Sequence, residues 1–379
     1  MSKYELTIST GYAMSWTLAD AVRELFQNAI DQEQVQSDNE LFFEYTGDKL
    51  LIGNKKSLLS ISSLLLGETT KAVDDRTIGK FGEGYKIATL VLLRLGKTIT
   101  FYNYGAKEVW RPRFVNSKRY GAKVLTFFVD KKHAWEKVPD NNLTIEIDNI
   151  SAAEYEEVYT RTLRLHEGYT FIAAKKGNVL LDEQYAGKVF INGLYVCKHS
   201  KYTYGYDFKP AYIHIDRDRK LVSDFDLQWL SSELWADIDS HDDTLVQLLK
   251  KDAPDVRYIS NTSNIFNTCD KAVDKRNLAY SAFFEEHGDK AVPVTSQYDA
   301  EQVPKSYKPV IVAEAYKTLI IESDKYVKPV PDEEEVGPVE RLEALLDAIR
   351  HKLTGDEIAM FERTIDTLNS CEIILPQQI

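Results

Sequence analysis

Between Thr17 and Asp31 the apolar positions recur with helical spacing: Val22, Leu25, Phe26, Ala29 and Ile30 line one side of a helix that faces a core. Thr17-Leu18-Ala19-Asp20 has the form of a capping box, with Asp20 reaching back to the start of that helix. At about 100° per residue, Glu24, Asn28 and Asp31 fall within roughly 60° of one another, so they form a polar stripe on an otherwise apolar helix. Strand-like runs occur at 4–9, 41–45, 49–53, 98–103, 108–115, 123–129 and 143–147. Residues 57–66, SLLSISSLLL, predict a helix ended by Gly67. Tyr85 to Leu95 is apolar nearly all round and predicts a buried helix stopped by Gly96. Residues 1–150 therefore predict an α+β sandwich, helices packed on an antiparallel sheet.

A second α+β unit is expected over 151–250, with strands at 169–173, 178–182, 188–197 and 211–215, an Asn192-Gly193 turn and helix over 225–250. Beyond 250 the pattern weakens, and 251–379 reads as a partly helical C-terminal region. Its linker falls near 322–338, where Pro329, Pro331, Pro338 and an acidic run cluster. Two amphipathic helices, roughly 339–353 and 355–370, follow.

Composition narrows the classes. The formal net charge of −12 disfavours a broad electrostatic grip on nucleic acid, although a local basic groove remains open. Cys197, Cys269 and Cys371 lie far apart, with no metal-ligand spacing, and read as thiols of a reducing compartment. The N-terminus lacks the apolar run of a signal peptide, and no stretch approaches the length of a membrane span. A cytoplasmic protein with no membrane partner is the expectation.

Gly79-Lys80-Phe81-Gly82-Glu83-Gly84 is the second chemical signal. Glycines at this density let the backbone approach a ligand and aim N–H groups at it, and the following helix adds its amino-terminal partial charge; phosphate is the natural occupant. The spacing is not the GxGxxG of a dinucleotide fold. Gly84-Tyr85-Lys86 lacks the hydroxyl that ends a P-loop, and the kinase HRD and DFG motifs do not occur.

ELFQNAID, followed about fifty residues later by IGKFGEGYKIATLV, resembles the GHKL (Bergerat-fold) ATPase superfamily, which includes DNA gyrase, the ninety-kilodalton heat-shock chaperones, the mismatch-repair clamp ATPases and sensor histidine kinases. The resemblance implies a Bergerat-type ATP-binding domain with ATP and Mg2+. Carried over, Glu24 orients and deprotonates the attacking water, and Asn28 holds the magnesium. Gly79, Gly82 and Gly84 wrap the phosphates, Lys86 adds a point charge there, and Asp31 supports the site. The family usually reads adenine with the aspartate of an Asp-x-Gly-x-Gly segment. Here Asn54 stands at the best-matching position and the later glycines are missing, which puts base recognition in doubt. Thr144 is the candidate for the strand threonine that the family places near adenine.

Only 23 residues precede Glu24, so the order resembles the gyrase, chaperone and mismatch-repair branch, with no phosphoacceptor domain in front. That branch implies nucleotide-dependent dimerisation and a transducer-like second domain that sends a basic residue to the γ-phosphate; 188–197 and Asp216 to Lys220 offer candidates. Two rivals stand beside ATP hydrolysis. One is a nucleotide-gated module that hydrolyses little and holds a protein partner through its C-terminal helices. The other is a DNA-handling clamp, which the acidic balance disfavours.

Overall fold

The computed structural model describes residues 1–64, 84–131, 142–213, 223–265, 270–330 and 338–370. The chain divides into two compact units, Met1–Glu286 with Val312–Tyr326, and His287–Ile311 with Val327–Ile379.

The first unit begins with β1 (Ser2–Ser9), α1 (Leu18–Val35), β2 (Leu41–Tyr45) and β3 (Lys49–Asn54). It continues with α2 (Gly84–Arg94), β4 (Thr98–Asn103), β5 (Glu108–Ser117), β6 (Ala122–Lys131) and β7 (Leu143–Asp148). The seven strands form one sheet in the order β1-β6-β5-β4-β7-β3-β2. Every neighbouring pair in it is antiparallel. Partners across a ladder share a face and successive residues alternate. The register therefore gives one face to Leu50, Ile52, Ile99, Phe101, Trp110, Phe127, Ile145 and Ile147, all buried. Against it lie Val22, Leu25, Phe26 and Ile30 of α1 and Leu90 and Val91 of α2, also buried. Phe26 meets Phe43 edge-on at 4.7 Å between ring centroids, and Tyr85 meets Phe101 at 6.3 Å. Each such side chain removed from water contributes about 2 kcal/mol.

The capping box forms as expected: Thr17 accepts from the Asp20 amide, and Asp20 Oδ2 accepts from the Thr17 amide at 3.0 Å. Gly96, at φ +78°, follows the end of α2. Arg94, the last residue of α2, donates to the carbonyls of Tyr12 and Ala13, each at 2.8 Å, and so fixes the loop that leads into α1.

The second layer of this unit contains α3 (Ala152–Thr160) and a five-stranded sheet of β8 (Phe171–Ala174), β9 (Gly177–Leu180), β10 (Lys188–Ile191), β11 (Leu194–Lys198) and β12 (Gly205–Phe208). Its order is β11-β10-β12-β9-β8, with β10 and β12 parallel. Helices α4 (Asp224–Asp237), α5 (Asp242–Lys250), α6 (Ile259–Ile265) and α7 (Asp270–His287) follow. The second unit carries β13 (Ala291–Val294), α8 (Gln297–Glu301) and β14 (Lys308–Ile311), the two strands parallel. The chain re-enters the first unit for α9 (Glu314–Ile321). In the second unit again, α10 (Pro338–Ile349) and α11 (Gly355–Ser370) lie at the positions of the two expected amphipathic helices.

Three local expectations are corrected. Residues 57–60 are not helical, and Ile61–Leu64 form only a 3-10 turn. Asn103 holds both the amide and the carbonyl of Leu59, and Ser63 Oγ donates to the Ser60 carbonyl at 2.6 Å; these side chains compete with helical bonding. Residues 211–213 are no strand: Pro210–Tyr212 turn as a 3-10 segment, and the strand of this region is β12. The helix expected over 225–250 is broken between α4 and α5, where His241 takes a left-handed conformation, φ 66°.

Candidate functional site

Helix α1 is buried almost all round from Leu18 to Asp31, so its polar stripe lies inside the protein. Glu24 is 2% exposed and Asp31 has no exposed surface, whereas Asn28 is half-buried and is the member of the stripe with solvent access. The Asn28 amide nitrogen donates to the Glu24 carbonyl one turn back, at 2.9 Å. That bond turns the carboxamide oxygen, the end able to ligate a cation, away from the helix backbone. Arg23 Nη2 lies 3.4 Å from Glu24 Oε1.

The two sequence motifs meet at Gly84, the last glycine of GKFGEG and the first residue of α2. A β-carbon placed on Gly84 would overlap Oε2 of Glu24 and lie 3.5 Å from its Cδ. The carboxylate therefore rests on the amino end of α2, where its charge is favoured by the helix dipole. Gly79 and Gly82 lie outside the described residues. Lys86, in the first turn of α2, is completely buried, with its ammonium 5.6 Å from the centre of the Tyr85 ring.

Asn54 ends β3 and is buried on the α1 face of the sheet. Its nitrogen donates to the Ala29 carbonyl of α1 at 2.9 Å and to the Asn39 carbonyl at 3.2 Å. Both partners can only accept, so the orientation of the carboxamide is fixed and its oxygen is the end left to accept from a ligand. Thr144 is not brought to this place. It pairs with Gly53 and Tyr102, whereas Asn54 pairs with Leu143; alternation puts the Thr144 side chain on the opposite face of the sheet. Its hydroxyl is buried there without a hydrogen-bond partner.

A cleft of ≈ 390 Å³ opens at the amino end of α1, with Thr17, Asp20, Arg23, Arg161, Cys197 and Lys198 among its lining residues. Three of these are basic, and two of the basic residues come from the second layer. Of the residues suspected of reaching the nucleotide, Lys188 pairs with Lys198 across the β10–β11 hairpin, and burial together with that neighbouring charge holds its ammonium below the usual lysine range. Asp216 to Lys220 lie outside the described residues, as do Cys269 and Cys371. Arg23, Arg161 and Lys198 carried no motif and no periodicity that would have singled them out.

No protein-family model matches the chain. An uncharacterized protein of Mycoplasma pneumoniae is 27% identical over 245 residues, which span 62% of this chain and 92% of that protein. Its description assigns no chemistry, so the functional reading rests on the residues themselves.

Among the described residues no three His, Cys, Asp or Glu side chains gather into a metal site. Magnesium does not require one, because it is commonly held by one or two oxygen ligands with water and substrate phosphates completing the shell. The carboxamide oxygen of Asn28, the member of the stripe with solvent access, is one oxygen ligand of that hard kind.

Proposed function

We propose that the chain binds ATP with magnesium and hydrolyses it in the manner of a GHKL ATPase. The observation that carries this reading is the contact between Glu24 and Gly84, which joins the carboxylate helix to the glycine motif. In the proposal Asn28 holds the magnesium, which when bound neutralises charge on the phosphates. Glu24 takes the proton of the attacking water, held in place by the packing around α1 and by Gly84. Gly79, Gly82 and Gly84 surround the phosphates, and Lys86 supplies a fixed positive charge from within the protein. Asp31 supports the stripe, and Asn54 offers its oxygen to the adenine amine. Dimerisation on nucleotide binding, with the second layer as transducer, belongs to the same proposal, as does a cytoplasmic location. Thr144 is left out because of the sheet face it occupies.

The test is a pair of variants measured for binding by calorimetry and for turnover by phosphate release. Glu24→Ala keeps ATP binding and loses hydrolysis, whereas Asn28→Ala weakens both. Full turnover by Glu24→Ala would remove the assignment.

A second reading, a nucleotide-gated module with little hydrolysis, is favoured by Asn54. Its nitrogen is committed to the scaffold, and it lacks the charge of the usual aspartate. Heat of ATP binding to the parent without any release of phosphate would select this reading. Among the described residues no helix is long and apolar enough to cross a membrane.

A further inference from the structure

The segment between α3 and β8 holds helix α1 at both ends. Arg161, at the end of α3, places Nη1 3.5 Å from Asp20 Oδ1 in the first turn of α1, and also pairs with Glu157 of its own helix at 3.0 Å. Arg164 places Nη1 3.4 Å from Glu33 Oε2 in the last turns of α1. Glu33 lies thirteen positions after Asp20, about 20 Å along a helix. The other oxygen of Glu33 accepts from the Leu41 amide at 3.2 Å, so the Arg164 contact lies where α1 hands over to β2.

The arginines are not loose surface charges. Between them, Leu163 is buried against Leu180, Tyr185 and Phe190 in the core of the five-stranded sheet. The Leu163 amide donates to the Gly193 carbonyl at 2.7 Å, and the Tyr195 amide donates to the Arg161 carbonyl at 2.9 Å. The Arg164 side chain packs on Gly193, where a β-carbon would overlap its Cγ. Leu163 thus roots the segment in the second layer while Arg161 and Arg164 on either side of it reach the helix that carries Glu24.

We infer that Arg161 and Arg164 are positioning residues: a two-point clamp through which the second layer sets the placement of α1, and with it Glu24. Asp20 lies one turn before Glu24, so release at Arg161 loosens the turn that aims the carboxylate. Asn54 grips α1 at Ala29, one turn before Glu33, through bonds that do not involve either arginine, and keeps its hold on the helix. The kinetic part of the inference rests on the ATPase reading; the mechanical part does not.

The test uses the full chain carrying Arg161→Ala with Arg164→Ala, a second protein with both arginines changed to lysine, and a third exchanging charges, Arg164→Glu with Glu33→Arg. Amide hydrogen exchange is followed without nucleotide, and kcat and KM for ATP are measured alongside. In the double alanine protein the amides at both ends of α1 exchange about fivefold faster, the scale expected of two partly exposed ion pairs, while β4 to β6 are unchanged. The value of kcat falls about tenfold and KM moves less than twofold, because aim is lost and binding is kept. The lysine protein lies close to the parent in exchange, and the charge-exchanged protein does so at the Asp20 end, where Arg161 is retained; at the other end it regains the ion pair and loses the Glu33 acceptor of the Leu41 amide. Unchanged exchange along α1, or equal acceleration throughout the unit, would overturn the clamp. If the parent releases no phosphate, the ATPase reading falls and the exchange result still decides the clamp.

Discussion

Gly84 and Glu24 touch where α2 begins, and the space for a side chain at position 84 is filled by the Glu24 carboxylate. A methyl group there must displace that carboxylate or shift the start of α2. Gly84→Ala is therefore expected to lower turnover at least tenfold in a protein that still folds. The decisive comparison is with Glu24→Ala present. Removing the carboxylate removes the overlap, and alanine then regains its helical advantage of up to about 1 kcal/mol over glycine. Thermal denaturation of the four proteins checks this: Gly84→Ala lowers Tm when Glu24 is present and leaves it equal or higher when it is absent. The same loss in both backgrounds would mean that the two residues do not act on each other.

Asn54 yields a prediction that runs against the family pattern. Restoring the usual aspartate, Asn54→Asp, turns a carboxylate oxygen toward the Ala29 and Asn39 carbonyls, which can only accept. An unpaired buried charge in place of two donated hydrogen bonds is expected to cost about 2–4 kcal/mol. The loss is smaller in acid, where a protonated carboxyl again has a hydrogen to donate. Urea midpoints at neutral and acid pH measure it, and an Asn54→Asp protein as stable as the parent at pH 7 would show that the two carbonyls do not dictate the residue.

Much of the scaffold was legible because it depends on local signals. The capping box at Thr17 and Asp20, the stop at Gly96 and the alternating strands are each readable from a few neighbouring residues. The meeting of Glu24 with the glycine motif was also anticipated, from a resemblance in spacing. What failed depends on partners far away in sequence. The serines of 57–66 looked helical until Asn103, on β4, took the Leu59 backbone. Thr144 lies on a correctly placed strand, but its face is set by the register against Gly53 and Tyr102, which no local pattern reveals. The strand Gly205–Phe208 is held by β10 on one side and β9 on the other, partners that no local pattern reveals. The clamp arginines sit at the end of a helix and within a 3-10 turn, where charged residues are ordinary.

Tyr206 ties the five-stranded sheet to the helices behind it. Its hydroxyl donates to Asp255 Oδ1 at 2.6 Å and accepts from Trp235 Nε1 at 3.0 Å; all three residues are buried. Asp255 also accepts from the Thr203 and Tyr204 amides, at 3.1 and 3.2 Å. Tyr206→Phe leaves the ring packing in place but strands an indole N–H and takes one donor from a buried carboxylate. The expected loss is about 2–4 kcal/mol. It is read from the urea midpoint with an unchanged denaturant slope. A midpoint within error of the parent would show that the network adds nothing to stability.

Asp207 gives the pH dependence. Burial pushes its carboxyl up to about 6, while the Gly193 amide at 2.7 Å, the Arg164 charge and the Asn178 side chain pull the other way. Between about pH 4 and pH 6 the native protein keeps a proton that the unfolded chain has released. Stability from this residue is therefore greatest in acid, falls as pH rises through that window and stays low above it. Asp207→Asn keeps an acceptor for the Gly193 amide and does not titrate. The stability difference between variant and parent should accordingly move in the variant's favour by about 2 kcal/mol from pH 4 to pH 6.5, then stay level. Urea midpoints across that range measure the change. A difference that holds constant from pH 4 upward would place the Asp207 carboxyl in the ordinary aspartate range and remove the cost assigned to its burial.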